Sequence, residues 1–221
     1  MKALLFDFDG LLLDTETPSF EAWVAIYREQ GVDLAWEVYI QCVGTHATAF
    51  DAVTHLENLT GRLQERKTLV DRHNDIARAR IEAQAPLPGV MGILQEAKDK
   101  GLGCAVASSS PREWVEGHLV RLGMMGWFDT LVCRSDVVRV KPAPDLFQAA
   151  LQRLGAAPDE AVVFEDSLNG IRAARAAGIF CVAVPNAVTR GLPLHEADLL
   201  LSSLDAMSLA EILRRAQRDH P

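Results

Sequence analysis

Short apolar runs bounded by small or acidic residues recur along the chain, at 3–8, 102–107, 130–133, 161–164, 180–184 and 199–201. They lack the in-and-out alternation of a strand with one wet face, so they predict strands buried on both faces. Between them, 89–100, 112–122, 145–154 and 168–177 carry helical spacing, and Gly101, Gly123, Gly155 and Gly178 stand where a C-terminal cap belongs. Strand and helix in alternation predict a doubly wound α/β fold with a parallel, Rossmann-like sheet.

From about 17 to 85 the alternation stops. Trp23, Ile26 and Tyr27 share one face, Ala49, Phe50, Val53 and Leu56 a second, and Leu69, Ile76 and Ile81 a third, the pattern of several amphipathic helices. Pro86, Pro88 and Gly89 then punctuate the return to the strand–helix pattern. The economical division is a discontinuous catalytic core, 1–15 and 86–221, with an all-helical cap domain, 16–85, inserted after the first strand.

Composition narrows the functions such a fold can serve. With 221 residues, 49% hydrophobic and 24% charged, the chain is an ordinary globular protein, and its net charge of −8 provides no broad basic face for nucleic acid or an anionic membrane surface. No run approaches the roughly 20 apolar residues of a membrane span. The cytoplasm and a monomer are the default expectations. Cys42, Cys104, Cys133 and Cys181 lie far apart without a CxxC pair, which predicts reduced, mostly buried thiols.

The chemistry sits where strands end. Asp7 and Asp9 close the first apolar run, and Glu165 and Asp166 close the run at 161–164. In an open parallel sheet the ligand crevice lies outside the carboxyl ends of the strands, so both pairs are expected there. Acids so close repel unless a cation joins them, and magnesium, a hard ion that prefers oxygen, would satisfy them. Taken singly, each pair has a plainer reading: Asp166 or Ser167 can cap the next helix, and Asp9 with Gly10 can make a turn. Lys141, stiffened by Pro142 and Pro144, is a candidate cation for phosphate or carboxylate. Ser108, Ser109 and Ser110 precede a helix start at Pro111, where hydroxyls and free N–H groups hold an anion or merely cap the helix.

Asp7-Phe8-Asp9-Gly10 with Asp14-Thr15-Glu16, Ser108, Lys141-Pro142, and Glu165-Asp166-Ser167 with Asn169-Gly170 together resemble, in order, the four motifs of the haloacid dehalogenase superfamily. More narrowly the set is similar to the beta-phosphoglucomutase and sugar-phosphate phosphatase branch, whose helical cap follows the first motif. The resemblance implies Asp7 as nucleophile and Asp9 as general acid and base. It also implies Ser108, Ser109 and Lys141 as phosphate holders, and a magnesium site of Asp7, the Asp9 carbonyl, Asp166 and Glu165, the last ligating or orienting a bound water. An acid at Asp9 disfavours dehalogenation. The implied activity is hydrolysis of a small phosphate monoester, a sugar phosphate above all. A phosphosugar mutase is the alternative, and a receiver that stores phosphoaspartate a more distant one. The mutase's cap arginine has no counterpart in 43–48, where His46 or Ala47 takes its place. His46, Arg72, His73 and Asn74 are the candidate cap contacts with substrate.

Overall fold

The computed structural model describes residues 1–40 and 50–219. Its six strands, β1 (Ala3–Phe6), β2 (Gly103–Ala107), β3 (Thr130–Val132), β4 (Ala161–Glu165), β5 (Phe180–Ala183) and β6 (Leu199–Leu200), form one sheet in the order β3-β2-β1-β4-β5-β6. Every pairing is parallel, and β1 lies between β2 and β4 with Phe6 opposite both Val106 and Phe164. The chain passes from β1 first to one side and later to the other, which makes the carboxyl end of β1 the point where a crevice opens.

Period-two alternation divides each strand between two cores. Leu4, Phe6, Val106, Val162, Phe164 and Val182 pack on one side, where Phe6 and Phe164 stack at 5.0 Å. Helices α5 (Val90–Asp99), α6 (Arg112–Arg121) and α9 (Leu209–Asp219) contribute to that layer. Ala3, Leu5, Ala105, Ala107, Val163 and Ala183 face the other way, against α7 (Asp145–Leu154) and α8 (Leu168–Ala176). The small residues on this second face let those two helices come close to the sheet.

Before β2 the described chain is helical: α1 (Glu16–Glu29), α2 (Trp36–Tyr39), α3 (Ala52–Thr60) and α4 (Arg66–Glu82). Trp23, Ile26, Tyr27, Val53, Leu56 and Leu69 make a separate core there, and the Tyr27 hydroxyl donates to the Ala52 carbonyl at 2.6 Å. The expected faces thus meet one another except at Ile81, which packs into the sheet-side core, and Ala49 lies outside the described residues. Arg121 of α6 donates to the carbonyls of Glu82 and Gln84 at 3.0 and 2.9 Å, tying the end of α4 to the sheet-bearing part of the chain.

The first strand ends earlier than its apolar run. At Asp7 the ladder gives its last bond, from the Asp7 N–H to the Phe164 carbonyl at 3.0 Å, and the chain then curls so that Leu12 N–H returns to the Phe8 carbonyl at 3.0 Å. Leu11, Leu12 and Leu13 are buried by this curl, which explains why the run looks longer than the strand. Cys104, Cys133 and Cys181 are free and buried, as expected; Cys42 lies outside the described residues. Replacing Phe164 by Ala should cost about 3–5 kcal/mol of stability, read as a lower urea midpoint at unchanged slope. A loss below about 1 kcal/mol would show that the Phe6–Phe164 stack does not set the core.

Candidate active site

Asp7 follows β1, Ser108 follows β2, Glu165 ends β4 and Lys141 precedes α7, so the parallel register carries four distant segments to one edge. Lys141 is buried there. Its Nζ donates to Asp7 Oδ1 at 2.5 Å and to Glu165 Oε1 at 2.6 Å, with the Phe147 ring centroid 5.0 Å away. Burial works to lower the pKa of this ammonium, and the two carboxylates overcome that and raise it. Lys141 is therefore a fixed cation, the reverse of a solvated surface lysine.

Glu165 is engaged at both oxygens. Its Oε2 accepts from the N–H groups of Asp166 and Ser167 at 3.0 and 3.1 Å and from the Ser167 hydroxyl at 3.0 Å. A Cβ on Gly170 would fall 1.8 Å from this carboxylate, so only glycine lets α8 close over it. Glu165 is thus the seat of Lys141 and the wall of the turn after β4, and its carboxylate lies beside those of Asp7 and Asp166, in reach of a shared cation.

Asp166 is placed differently. Its Oδ2 accepts from Asn186 Nδ2 at 2.8 Å, while its buried Oδ1 has no hydrogen-bond partner. Asn186 also donates to the Gly10 carbonyl at 3.1 Å. Gly10 has φ +80°, and a Cβ there would meet Asp166 Oδ2 and Asn186 Nδ2 at 2.5 Å each. Carboxylate oxygens of Asp7, Glu165 and Asp166 lie within 4.8 Å of one another. Burial, opposed by Lys141 and reinforced by Glu165 and Asp9, pushes Asp7 up to about 8, and burial with Glu165 and Asp7 raises Asp166. An orphaned oxygen among crowded acids fits a hard divalent cation, which would let these carboxylates ionise together.

Asp9 faces away from this knot. Its Oδ1 accepts from the Trp114 indole N–H at 2.8 Å, and its Oδ2 from the Ser110 hydroxyl at 2.6 Å and weakly from Ser108 at 3.5 Å. Its side chain is thus not among the gathered oxygens, and only its main-chain carbonyl remains as the ligand the family pattern names.

A cavity of about 860 Å³ joins these groups to the helical segment; Asp7, Asp9, Ser108, Ser109, Lys141 and Asp166 line it from the sheet side, and His73 and Asn74 from α4. Ser109 Oγ is buried without a partner. His73 is half-committed, its ring stacked on Trp23 at 4.5 Å with Nε2 3.0 Å from the Ser19 carbonyl oxygen. Arg72 does not reach the cavity, because Glu29 of α1 holds it at 2.6 Å on another face of α4. His46 lies outside the described residues.

Two contributors, Asn186 and Trp114, escaped the sequence reading; Ser110, in the serine run, and Glu16, in the first motif, were named there without an individual role. Pro185 and Asn186 just past an apolar run were the available signal for the first; Trp114 sits in the first turn of α6 with nothing in sequence to single it out. Glu16 opens α1 on the cavity wall, and burial with Asp9 and Asp14 nearby pushes it up to about 7.

A parallel α/β sheet carrying an acid–lysine cluster at its switch point defines an enzyme that handles anionic groups. Residues 4–184 match the haloacid dehalogenase-like hydrolase family, and the chain belongs to it. It is similar to YhcW of Bacillus subtilis, 41% identical over 213 residues and 96% of each chain. The phosphorylated carbohydrates phosphatase of Thermotoga maritima is 32% identical over 206 residues, 89% of this chain and 91% of that one. A structure of a CbbY variant from Rhodobacter sphaeroides in complex with xylulose-(1,5)bisphosphate matches with TM-score 0.70 and 29% identity, covering 95% of this chain and 98% of that one. Within the family this chain is an enzyme of the phosphomonoesterase kind.

In the fold Asp7, Asp166 and Glu16 keep protons that the unfolded chain releases, since an ordinary Asp titrates at 3.8 and Asp7 here at about 8. Their raised values favour the cation-free fold below the unfolded pKa, and that contribution is lost as pH rises through the folded one. Melting temperature without metal should therefore fall between pH 5 and 8, ranges set by these shifts, and magnesium chloride should raise it more at the upper end. A gain from magnesium that is equal across the range in scanning calorimetry would contradict the clustering of titrating ligands. Asn186→Ala should weaken magnesium binding about 10–100-fold by titration calorimetry, because Asp166 Oδ2 loses the amide that orients it; an unaltered affinity would remove Asn186 from the site.

Proposed function

We propose that this protein is a magnesium-dependent phosphatase that hydrolyses a small phosphate monoester, above all a sugar phosphate, through a phosphoaspartate on Asp7. The observation that carries the reading is the pair of buried carboxylates, Asp7 fixed by Lys141 at 2.5 Å and Asp166 with one oxygen unpartnered, at the base of a cavity large enough for a phosphorylated sugar. The relatives named above, one a phosphatase of phosphorylated carbohydrates and one bound to a bisphosphorylated sugar, support the substrate class.

A carboxylate oxygen of Asp7 attacks phosphorus, and the bond from phosphorus to the ester oxygen breaks. The leaving oxygen takes a proton from Asp9. Asp9, now a carboxylate, accepts a proton from water as that water attacks phosphorus, which releases inorganic phosphate and returns Asp7. Lys141 has three N–H donors and spends two on Asp7 and Glu165, leaving one for a phosphoryl oxygen. Ser108 and the unpartnered hydroxyl of Ser109 supply further donors. Magnesium, held by Asp7, Asp166 and the Asp9 carbonyl, would neutralise charge on the phosphoryl group. Catalysis here rests on positioning and charge neutralisation, which is what phosphoryl transfer demands. The helical cap, 16–85, closes the far side and selects the substrate, with His73 and Asn74 as its contacts.

Purified protein with magnesium should release phosphate from a panel of sugar phosphates, and chelation should abolish the release. Asp7→Asn should lower the rate at least about a thousandfold. Release that survives the substitution would show that Asp7 does not carry the phosphoryl group.

A further inference from the structure

Two guanidinium groups on the wall of the same cavity have no assigned task. Arg78 lies on α4 one turn beyond Asn74, which shares its cavity-facing side, and Arg134 lies on the opposite wall, just after β3. The Arg134 main chain is tied to the serine loop by its N–H, 3.1 Å from the Ser110 carbonyl. Both side chains are exposed, and neither makes an ion pair or hydrogen bond among the described residues.

This is unlike their neighbours. On α4, Arg72 is paired with Glu29 and Arg80 with Glu21, both on α1. Around Arg134, Asp136 is already shared by Arg112 and Arg153, and Asp145 holds Arg139. A chain with 30 acidic and 22 basic residues has carboxylates to spare, so two unpaired arginines lining one cavity are a local departure from its charge balance. Lys141 at the base is consumed by the transferring phosphoryl group and its acids. Free guanidinium groups, with flat forks of donors, match the geometry of a phosphate or a carboxylate.

We propose that Arg78 and Arg134 form a second anion subsite, one contributed by the helical segment and one by the sheet, so that the preferred substrate is a phosphate ester bearing another phosphate or a carboxylate at its far end. The inference rests on the phosphatase reading and deepens it. It also gives the cap a way to sense substrate: an anion bridging the two walls is gripped from both only when they approach each other.

The test compares three esters on the full chain with magnesium: glucose 6-phosphate, whose far end is neutral, 6-phosphogluconate, with a far carboxylate, and glucose 1,6-bisphosphate, with a far phosphate. At least one charged ester should exceed glucose 6-phosphate in kcat/KM, and the better one identifies the second group. Arg78→Ala and Arg134→Ala should each lower that ratio about tenfold, mainly through KM, and Arg78→Lys should recover part of it. A ratio that neither substitution moves overturns the subsite. So does an equal loss on all three esters, which would mean that the arginines only balance the field of the acids. If no phosphate is released from any ester, the phosphatase reading fails, and calorimetric affinities of the same compounds for wild type and both variants decide the subsite alone.

Discussion

Everything at the site depends on one buried ion triad, Asp7, Lys141 and Glu165. Three charged groups far apart in sequence share a space from which water is largely excluded, and desolvation makes each of them costly alone. Together they hold one another in place: the lysine cannot leave without stranding two carboxylates, and Asp7 cannot rotate freely without stranding the lysine. Once both its acids ionise the triad carries net negative charge, and an ionised Asp166 adds to it. Carboxylates crowded in this way could hold a divalent cation.

The sheet makes this arrangement affordable. Because β1 is flanked in register by β2 and β4, the residues just beyond all three strands arrive within hydrogen-bonding reach without any long loop to order. Close packing then removes alternatives. Gly170 lets α8 cover Glu165, and Gly10 leaves room for Asn186 to hold Asp166, so two glycines set how near the backbone comes to the acids. On the other flank, Trp114 and Ser110 hold the Asp9 carboxylate apart from the acid–lysine cluster.

The cavity is asymmetric in the same sense. Its base is charge-paired and built on strand ends; its upper wall is α4, where Arg72 and Arg80 are tied to α1 and Arg78 is left free. Groups fixed on strand ends and a wall built by a separate helical segment can vary independently of one another.

Strand ends, helix ends and the helical interruption were legible because burial leaves a period in the sequence: continuous apolar runs for strands covered on both faces, 3.6-residue spacing for helices. The same reading singled out Asp7, Asp9, Ser108, Lys141, Glu165 and Asp166, since acids, hydroxyls and a stiffened lysine stood where those runs stop. What no one-dimensional pattern holds is which way a side chain turns and what it meets. Glu165 and Asp166 are neighbours in the same motif, yet one is saturated by donors and the other keeps a bare oxygen. Arg72 and Arg78 share a helix, yet one is captured by Glu29 and the other faces the cavity. Residue type and spacing therefore determined the fold and the supply of chemical groups. Partnership depends on distances across the folded chain, and only tertiary packing decided which of those groups were left free to act.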